Sequence, residues 1–191
     1  NIPAARQAGY EADDLIGTLA RQAEQAGYDV VIVTGDKDML QLVTSHVRIY
    51  DPVKDKWSSN AECVAKFGVE PGRVIEVMGL MGDASDNIPG VKGIGEKTAM
   101  KLIAQFGTID ELLRRLDEVT PARIKTLLSE QADQARLSRK LATIDIQSPV
   151  EFHPESYRIK PPHEEPLAEL LRELEFTSLL KSLQPSPKPL E

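Results

Sequence analysis

The chain has 191 residues, of which 41% are hydrophobic and 28% are charged, and its formal net charge is −7. This length and composition fit one globular domain with an appended subdomain, and they exclude a disordered, collagen-like or coiled-coil chain. No apolar run approaches the ~20 residues that span a bilayer, and the first residues contain no apolar signal segment. The single cysteine, Cys63, cannot form an internal disulfide. We therefore expect a soluble, cytoplasmic protein that does not associate with membranes.

The charge is unevenly distributed along the chain. Residues 87–144 hold 10 Lys and Arg against 7 Asp and Glu, whereas residues 1–86 hold 8 against 14 and residues 145–191 hold 5 against 9. A basic segment joined to an acidic one is typical of a metal-dependent enzyme that acts on a polyanion, because carboxylates hold cations while lysines hold the substrate backbone. Chance fluctuation in charge is the alternative at this point.

The first predicted elements are a helix and a strand. From Ala12 to Ala26 apolar residues recur at helical spacing, and Gly27 stands where a helix is expected to end. The unbroken β-branched run between Asp29 and Thr34 predicts a strand that is buried on both faces of a parallel sheet. A helix followed by a buried strand indicates an α/β fold.

The rest of the chain predicts a strand or hairpin followed by short helices. A polar turn separates Val47–Tyr50 from the segment around Trp57, which predicts a second strand or hairpin. Gly, Pro or Thr residues then separate segments of helical pattern. The predicted helices are Cys63–Phe67, Val74–Met81, Lys97–Phe106, Ile109–Leu116, Pro121–Leu128, Gln134–Ala142 and, after a proline-containing connection, Leu167–Leu183.

Three acidic motifs stand next to these elements. They are Glu11 with Asp13 and Asp14, Asp36 with Asp38, and Asp83 with Asp86. Each has a structural explanation when taken alone, because acids cap helix N-termini and Asp favours turns. In open α/β sheets, however, ligands bind beyond the carboxyl ends of the strands, where Asp36 and Asp38 are expected. The first helix runs antiparallel to the strand that follows it, so its acidic N-terminus is expected at the same edge.

Converging carboxylates predict a divalent metal site. Carboxylates within a few ångströms repel one another unless cations neutralise them. Oxygen ligands favour Mg²⁺ or Mn²⁺ over Zn²⁺, and the three histidines are scattered along the chain. Two such ions can activate a water and stabilise both oxygens in phosphodiester hydrolysis. We take all seven acids as candidate metal ligands, and the candidate catalytic residues are Glu11, Asp13, Asp36 and Asp38.

A glycine-rich segment, residues 87–99, leads directly into the helix at Lys97–Phe106. Its glycines allow a tight turn with exposed backbone amides at a helix N-terminus, which is a natural phosphate site. A P-loop has similar glycine spacing, but Glu96 intervenes before Lys97 and no apolar strand precedes the segment. The pattern instead resembles a helix-hairpin-helix motif, which grips DNA phosphates without reading bases; a plain glycine-rich turn is the alternative. The candidate DNA-binding residues are Lys92, Gly93, Gly95, Lys97, Thr98 and Lys101.

Three segments together resemble one known family. EADD at 11–14, TGDKDMLQLV at 34–43 and MGDASDNIPGVKGIGEKTA at 81–99 have the order and separations of the 5′-nuclease family, which includes flap endonucleases and the 5′→3′ exonuclease domains of bacterial DNA polymerases. The resemblance implies a PIN-like (Rossmann-like) parallel-sheet domain and a helix-3-turn-helix DNA-binding region that also holds a K⁺ ion. It further implies hydrolysis of 5′ flaps and ends, metal ligation by the three acidic motifs directly or through water, and a polymerase domain in the same full-length chain.

Family members begin with segments that have no counterpart in this sequence. These segments are a strand with a metal-binding Asp, a second acidic strand end and a basic helical arch. We therefore expect a fold that is incomplete at the N-terminus, and a chain that alone binds branched DNA weakly and cleaves it poorly. The predicted organisation is a metal-binding nuclease part at 1–75, the helix-hairpin-helix region at 76–144, and an extended linker with a C-terminal helix at 145–191.

The leading functional hypothesis is a two-metal 5′→3′ exonuclease or 5′-flap endonuclease of replication and repair. A non-catalytic module that binds DNA of a particular structure is the alternative, and the missing N-terminal carboxylates favour it. A Mg²⁺ phosphotransferase that uses Asp36 and Asp38 is a third hypothesis, but it leaves the glycine hairpin unexplained.

Overall fold

The computed structural model describes residues 2–183 of the chain, which form two compact units. The larger unit is Arg6–Phe152, and the smaller one consists of residues 2–5 and 153–183. No helix in this range is both long and apolar enough to cross a membrane.

A small sheet and the helix before it open the larger unit. Helix α1 is Ala12–Gln25, and the strands are β1 Val30–Val33, β2 Val47–Asp51 and β3 Lys56–Ser58. Strand β1 pairs with β2 in parallel, with Ile32 opposite Ile49, and β3 pairs with β2 antiparallel. The predicted α/β class and the predicted hairpin are confirmed. A 3-10 segment, Asp38–Leu42, lies between β1 and β2 and had not been predicted.

One expectation about β1 is wrong. The strand was expected to be buried on both faces, but Val31 is 42% exposed and Val33 is 62% exposed, while Ile32 is only 6% exposed. Among the described residues, the helices therefore cover only one face of this strand. A run of β-branched residues indicates a strand but does not reveal how many of its faces are covered.

Six helices complete the larger unit. They are α2 Asn60–Phe67, α3 Val74–Met81, α4 Glu96–Phe106, α5 Ile109–Arg114, α6 Ala122–Glu130 and α7 Ala132–Ala142. Helix α3 lies at the centre, where Val77, Met78 and Leu80 are completely buried. It also crosses α7 closely, since a Cβ atom on Gly79 would lie 2.8 Å from Arg139 Cβ. The predicted helices between residues 60 and 142 are confirmed to within a few residues at their ends.

The smaller unit contains two helices where one had been predicted. Helix α8 is Glu164–Glu173 and α9 is Thr177–Leu183, so the single predicted helix over 167–183 is wrong. The chain turns at Glu175, whose φ is 58°, and the N–H of Phe176 donates to the carbonyl of Leu171. No Gly or Pro marks this turn in the sequence. The last eight residues of the predicted C-terminal region, 184–191, lie outside the described residues.

Candidate metal centre and nucleic-acid interface

The first acidic motif lies at the N-terminus of α1. Asp14 uses both carboxylate oxygens for backbone contacts: Oδ2 accepts the N–H of Glu11 at 3.3 Å, and Oδ1 accepts the N–H of Asp145 at 2.9 Å. Asp14 thus caps the helix and attaches the chain after α7 to it. Glu11 and Asp13 line the cavity described below, and the Glu11 side chain completes the capping box by accepting the N–H of Asp14.

The second motif follows the carboxyl end of β1. Asp36 Oδ1 accepts the N–H of Asp38 at 2.9 Å, and the N–H of Asp36 donates to Thr34 Oγ1 at 3.0 Å. This compact turn starts the 3-10 segment and points Asp38 inward, where the residue is only 8% exposed. Among the described residues, the buried Oδ1 atom of Asp38 has no hydrogen-bond partner.

The third motif lies in the loop after α3. An isolated antiparallel bridge joins Asp83 to Ile88, with N–H···O distances of 2.8 and 2.7 Å, and closes the loop that contains Asp86. The Asp83 carboxylate is buried, and it accepts the N–H of Ser85 at 2.8 Å and the ammonium group of Lys37. Sequence analysis missed Lys37, whose only signal was its position between two acids.

The three motifs meet around one cavity of about 320 Å³ in the larger unit. Its acidic lining residues are Glu11, Asp13, Asp14, Asp36, Asp38 and Asp86, and residues 141–144, at the end of α7 and just after it, also line the cavity. Asp83 lies just behind, because carboxylate oxygens of Asp38, Asp83 and Asp86 all lie within 4.8 Å of one another. The structure thus brings together all seven acids that sequence analysis singled out.

Mutual repulsion and burial change the protonation of this cluster. Burial raises the pKa of Asp13, and Asp36, Glu11, Asp14 and Asp86 raise it further. Burial also raises the pKa of Asp38 to about 6; Lys37 opposes this shift, while Asp36 and Asp86 reinforce it. Removing carboxylates from water and placing them side by side both disfavour their charged forms.

The pKa of Asp83 shifts in the opposite direction. Burial acts to raise its pKa, but the Lys37 ammonium and the Ser85 backbone outweigh burial and hold the pKa below its usual range. The pKa of Lys37 is raised by the same contact with Asp83. An opposite charge at hydrogen-bond distance stabilises the charged forms of both groups.

The residues of the centre fit a hard divalent cation. The donor set contains only carboxylate oxygens, which Mg²⁺ and Mn²⁺ prefer. The buried Asp38 Oδ1 atom accepts no hydrogen bond from a described residue, and the Lys37 ammonium group lies 3.6 Å away. A buried carboxylate oxygen without a hydrogen bond is costly unless a cation contacts it. A divalent cation would offset the burial and the mutual repulsion that raise the pKa values of Asp13 and Asp38.

The glycine-rich segment forms a hairpin between α3 and α4. Val91 and Ile94 are 2% and 3% exposed and anchor it, and the N–H of Val91 donates to Leu80 at 2.8 Å. Helix α7 and the residue before it hold the hairpin from the other side. Ser138 Oγ accepts the N–H of Gly90 at 3.0 Å, and the Gln131 side chain bonds both the N–H and the carbonyl of Lys92.

Several backbone N–H groups of the hairpin have no hydrogen-bond acceptor among the described residues. The backbone N–H groups of Gly93, Gly95, Glu96 and Lys97 donate to no acceptor within residues 2–183. Gly95 is the N-cap of α4, and a Cβ atom there would meet nothing within 4 Å. These donors converge at a helix N-terminus, which is the geometry that binds phosphate.

The predicted lysines belong to the same segment as these donors. Lys92, Lys97 and Lys101 are exposed, and within the described part of the chain none of them pairs with an acid. Thr98 is half-buried in the first turn of α4, and its N–H donates to the Gly95 carbonyl at 3.0 Å. The sequence pattern of the hairpin does not point to Gln131 and Ser138, which lie 39 and 48 residues beyond Lys92 and Gly90, their hydrogen-bond partners.

Family models match both parts of the chain. Residues 1–68 match a model described as 5′-3′ exonuclease, N-terminal resolvase-like domain, and residues 69–165 match one described as 5′-3′ exonuclease, C-terminal SAM fold. A DNA polymerase I of Chloroflexus aurantiacus is 48% identical over 96% of this chain, which corresponds to 20% of that protein. The chain thus spans about a fifth of the length of the curated relatives that it matches.

Solved structures have a similar fold. A T5 5′-exonuclease with bound divalent metal ions (zinc) superposes with a TM-score of 0.69 at 23% identity, covering 75% of this chain and 53% of that one. A bacteriophage T5 flap endonuclease in complex with DNA and metal ions superposes with a TM-score of 0.63 at 21% identity, covering 92% and 60%. The sequence matches and the shared fold lead to one conclusion: the chain belongs to the 5′-3′ exonuclease family.

Proposed function

We propose that this chain is the nuclease part of a longer DNA polymerase I-like protein and that it hydrolyses DNA phosphodiester bonds at 5′ flaps and 5′ ends. One observation carries the proposal: acids that belong to the metal centre and the glycines of the hairpin with free amides lie in one short segment of the chain. Asp83 and Asp86 belong to the centre, and Gly93 and Gly95 follow Asp86 within ten residues. A DNA backbone held at the hairpin is therefore held close to the acidic centre.

The acidic centre would hold two divalent cations, Mg²⁺ or Mn²⁺. Asp38, Asp83 and Asp86 would hold one, because their oxygens already lie within 4.8 Å of one another. Glu11, Asp13 and Asp36 face the same cavity and would hold the other. When bound, two such ions lower the pKa of a water and stabilise the oxygens of the phosphodiester.

The remaining residues position the centre and the substrate. Asp14 holds the chain after α7 against α1 and thereby shapes the cavity wall. The free amides at Gly93, Gly95, Glu96 and Lys97 would bind non-bridging phosphate oxygens of one strand, which requires no particular base sequence. Lys92, Lys97 and Lys101 would add sequence-independent attraction to the backbone, with Thr98 as a further polar contact.

Further parts of the proposal come from the family resemblance. They are the division of the chain at residues 75/76 and 144/145, a K⁺ ion at the hairpin, and a polymerase domain elsewhere in the full-length chain. The DNA polymerase I relatives support the last of these. A cytoplasmic location stays a prediction.

A module that binds DNA without cleaving it is the second candidate. Cleavage of a 5′-flap duplex by the full-length protein in Mg²⁺, compared with binding in Ca²⁺, separates the two functions. Asp36→Asn with Asp38→Asn should abolish cleavage and leave binding largely intact. Asp29→Asn is the matched control, because Asp29 precedes β1 and lies at the opposite end of that strand. Unchanged turnover of the double variant at saturating Mg²⁺ would contradict the metal assignment.

A further inference from the structure

Lys37 places a positive charge inside the acidic centre. Its ammonium group forms an ion pair with Asp83 Oδ2 and lies 3.6 Å from Asp38 Oδ1. The Asp83 and Asp38 side chains are only 4% and 11% exposed, so water solvates neither carboxylate well. Within residues 2–183, no other Lys or Arg forms an ion pair with an acid of this centre.

The ammonium group contacts the same carboxylates that would hold a divalent ion. Asp38, Asp83 and Asp86 each contribute an oxygen within 4.8 Å of the others, and Mg²⁺ binds oxygens at ~2.1 Å. An ion among these three oxygens would share two carboxylates with Lys37 and lie within a few ångströms of its charge. Two cations so close together repel strongly in a partly buried site. The ion and the ammonium group therefore exclude each other.

We propose that Lys37 is a resident cation of the acidic centre, which holds Asp38 and Asp83 in the absence of metal and must leave before a divalent ion enters the Asp38–Asp83–Asp86 group. The inference rests on the proposed function, because it requires divalent ions in the centre. Lys37 is thus a positioning residue and not a catalytic one. It keeps the buried carboxylates in place, and it makes this group the weaker of the two metal sites.

The other group of acids lacks such a cation. Glu11, Asp13 and Asp36 line the open side of the cavity and form no ion pair with a described residue. A first divalent ion binds there without displacing a protein charge. The two ions are therefore expected to bind in sequence, and the second ion binds in competition with Lys37.

A titration with Mn²⁺ tests this inference, because the EPR signal of free Mn²⁺ gives the number of bound ions and their affinities. The wild-type chain should show two classes of site whose affinities differ at least tenfold. Lys37→Met keeps the length of the side chain and removes its charge, and it should tighten the weaker class by about tenfold or more. Lys66→Met is the matched control, because Lys66 is a neighbouring lysine that pairs with none of these acids. It should change either affinity less than threefold.

A second measurement uses the wild-type chain and does not depend on the folding of a variant. The ammonium ¹⁵N resonance of Lys37 should be protected from exchange in metal-free solution and should shift or broaden only as the second equivalent of Mg²⁺ binds. A Lys37 resonance that is unchanged at saturating Mg²⁺, or a Lys37→Met variant with wild-type affinities, overturns the inference. A full-length protein that binds no Mn²⁺ at this centre instead overturns the proposed metal centre itself.

Discussion

The side-chain amide of Gln131 pairs with the backbone of Lys92 through two hydrogen bonds. Its Oε1 accepts the Lys92 N–H at 2.8 Å, and its Nε2 donates to the Lys92 carbonyl at 3.2 Å. Gln131 lies at the junction of α6 and α7, so this contact links that junction to the tip of the hairpin. The contact also removes the Lys92 amide from the set that is free to bind phosphate.

Replacement of Gln131 should loosen the hairpin without removing any charge from it. Gln131→Met deletes two hydrogen bonds that are each worth about 0.5–1.5 kcal/mol. We expect duplex DNA affinity to fall about three- to tenfold, while the dependence of affinity on salt stays unchanged because no phosphate contact by a cation is lost. Fluorescence anisotropy over a salt series measures both quantities. Gln134→Met is the control and should bind as the wild type does, and equal losses in both variants would refute this role.

The two glycines at the front of the hairpin should respond differently to substitution. Gly95 has an ordinary φ of −95° and open space around a Cβ atom, and serine is a good N-cap. Gly95→Ser should therefore keep the melting temperature, but it should weaken DNA binding because the new side chain covers the free amides. Gly93 has a φ of +96°, and Gly93→Ala should cost about 1 kcal/mol or more of stability. Full DNA affinity in Gly95→Ser would show that the amides do not contact phosphate.

The lysines of the hairpin should act through counterion release. Lys92→Ala and Lys97→Ala should each reduce the slope of log K against log salt by about one unit. The loss should be the same for DNA duplexes of different sequence, because phosphate contacts carry no sequence information. Lys160→Ala, an exposed lysine of the smaller unit, is the control. If the slopes of both hairpin variants stay at the wild-type value, Lys92 and Lys97 do not contact the DNA backbone.

The metal-free protein should gain stability from Asp38 as the solution is acidified. The pKa of Asp38 is raised to about 6 in the folded protein from an ordinary value of 3.8, so the folded state binds this proton more tightly than the unfolded state. The contribution therefore grows as pH falls from 7 through 6 towards 4, and it is lost as pH rises. The pKa of Asp13 is raised as well, so Asp13 contributes to stability in the same direction.

Melting curves in EDTA between pH 7 and pH 4.5 measure this effect. Carboxylates with lowered pKa values, such as Asp83 and Asp110, lose stabilisation over the same range, so the quantity of interest is the difference between the wild type and Asp38→Asn. That difference should favour the wild type increasingly as pH falls. In excess Mg²⁺ the trend should reverse, since protons and metal compete for the same carboxylates. A difference that is independent of pH would contradict the assignment.

The crossing of α3 and α7 should not tolerate a side chain at Gly79. A Cβ atom there would lie 2.7 Å from Ile109 Cδ1 and 2.8 Å from Arg139 Cβ. We expect Gly79→Ala to cost about 1–3 kcal/mol of unfolding free energy, as other overpacked cores do. Gly72→Ala, where a Cβ atom meets nothing within 4 Å, should be close to neutral. Chemical denaturation measures both, and equal stability of the two variants would contradict the close crossing.

Much of this protein could be predicted from local sequence pattern. Helices such as α3 and α4 and the strands β1 and β2 follow from periodicity and punctuation within about ten residues. The acidic motifs could be grouped as well, because the end of a strand and the start of the preceding antiparallel helix must meet at one sheet edge. The glycine spacing of residues 87–99 similarly predicts a turn at the start of α4.

The pairing of side chains could not be predicted in this way, because it depends on packing between distant segments. Lys37 meets Asp83 across 46 residues, Gln131 meets Lys92 across 39, and the Asp145 backbone meets Asp14 across 131. A pattern of neighbouring residues does not predict contacts between residues that are so far apart in the chain. The exposure of Val31 and Val33 has the same origin, since a neighbouring element decides whether a strand face is covered.

The sequence by itself therefore determined which residues are candidates for the chemistry, because motifs such as Gly35–Asp38 and Gly90–Thr98 combine residue types that suit cations and phosphates. The tertiary structure alone decided which of those residues are free to act. It pairs Asp83 with Lys37 and leaves the Asp38 Oδ1 atom without a described hydrogen-bond donor. It also occupies the Lys92 amide, while the Gly95 amide has no described acceptor. Hydrogen bonds and burial satisfy some groups and not others, and only the packed chain determines which.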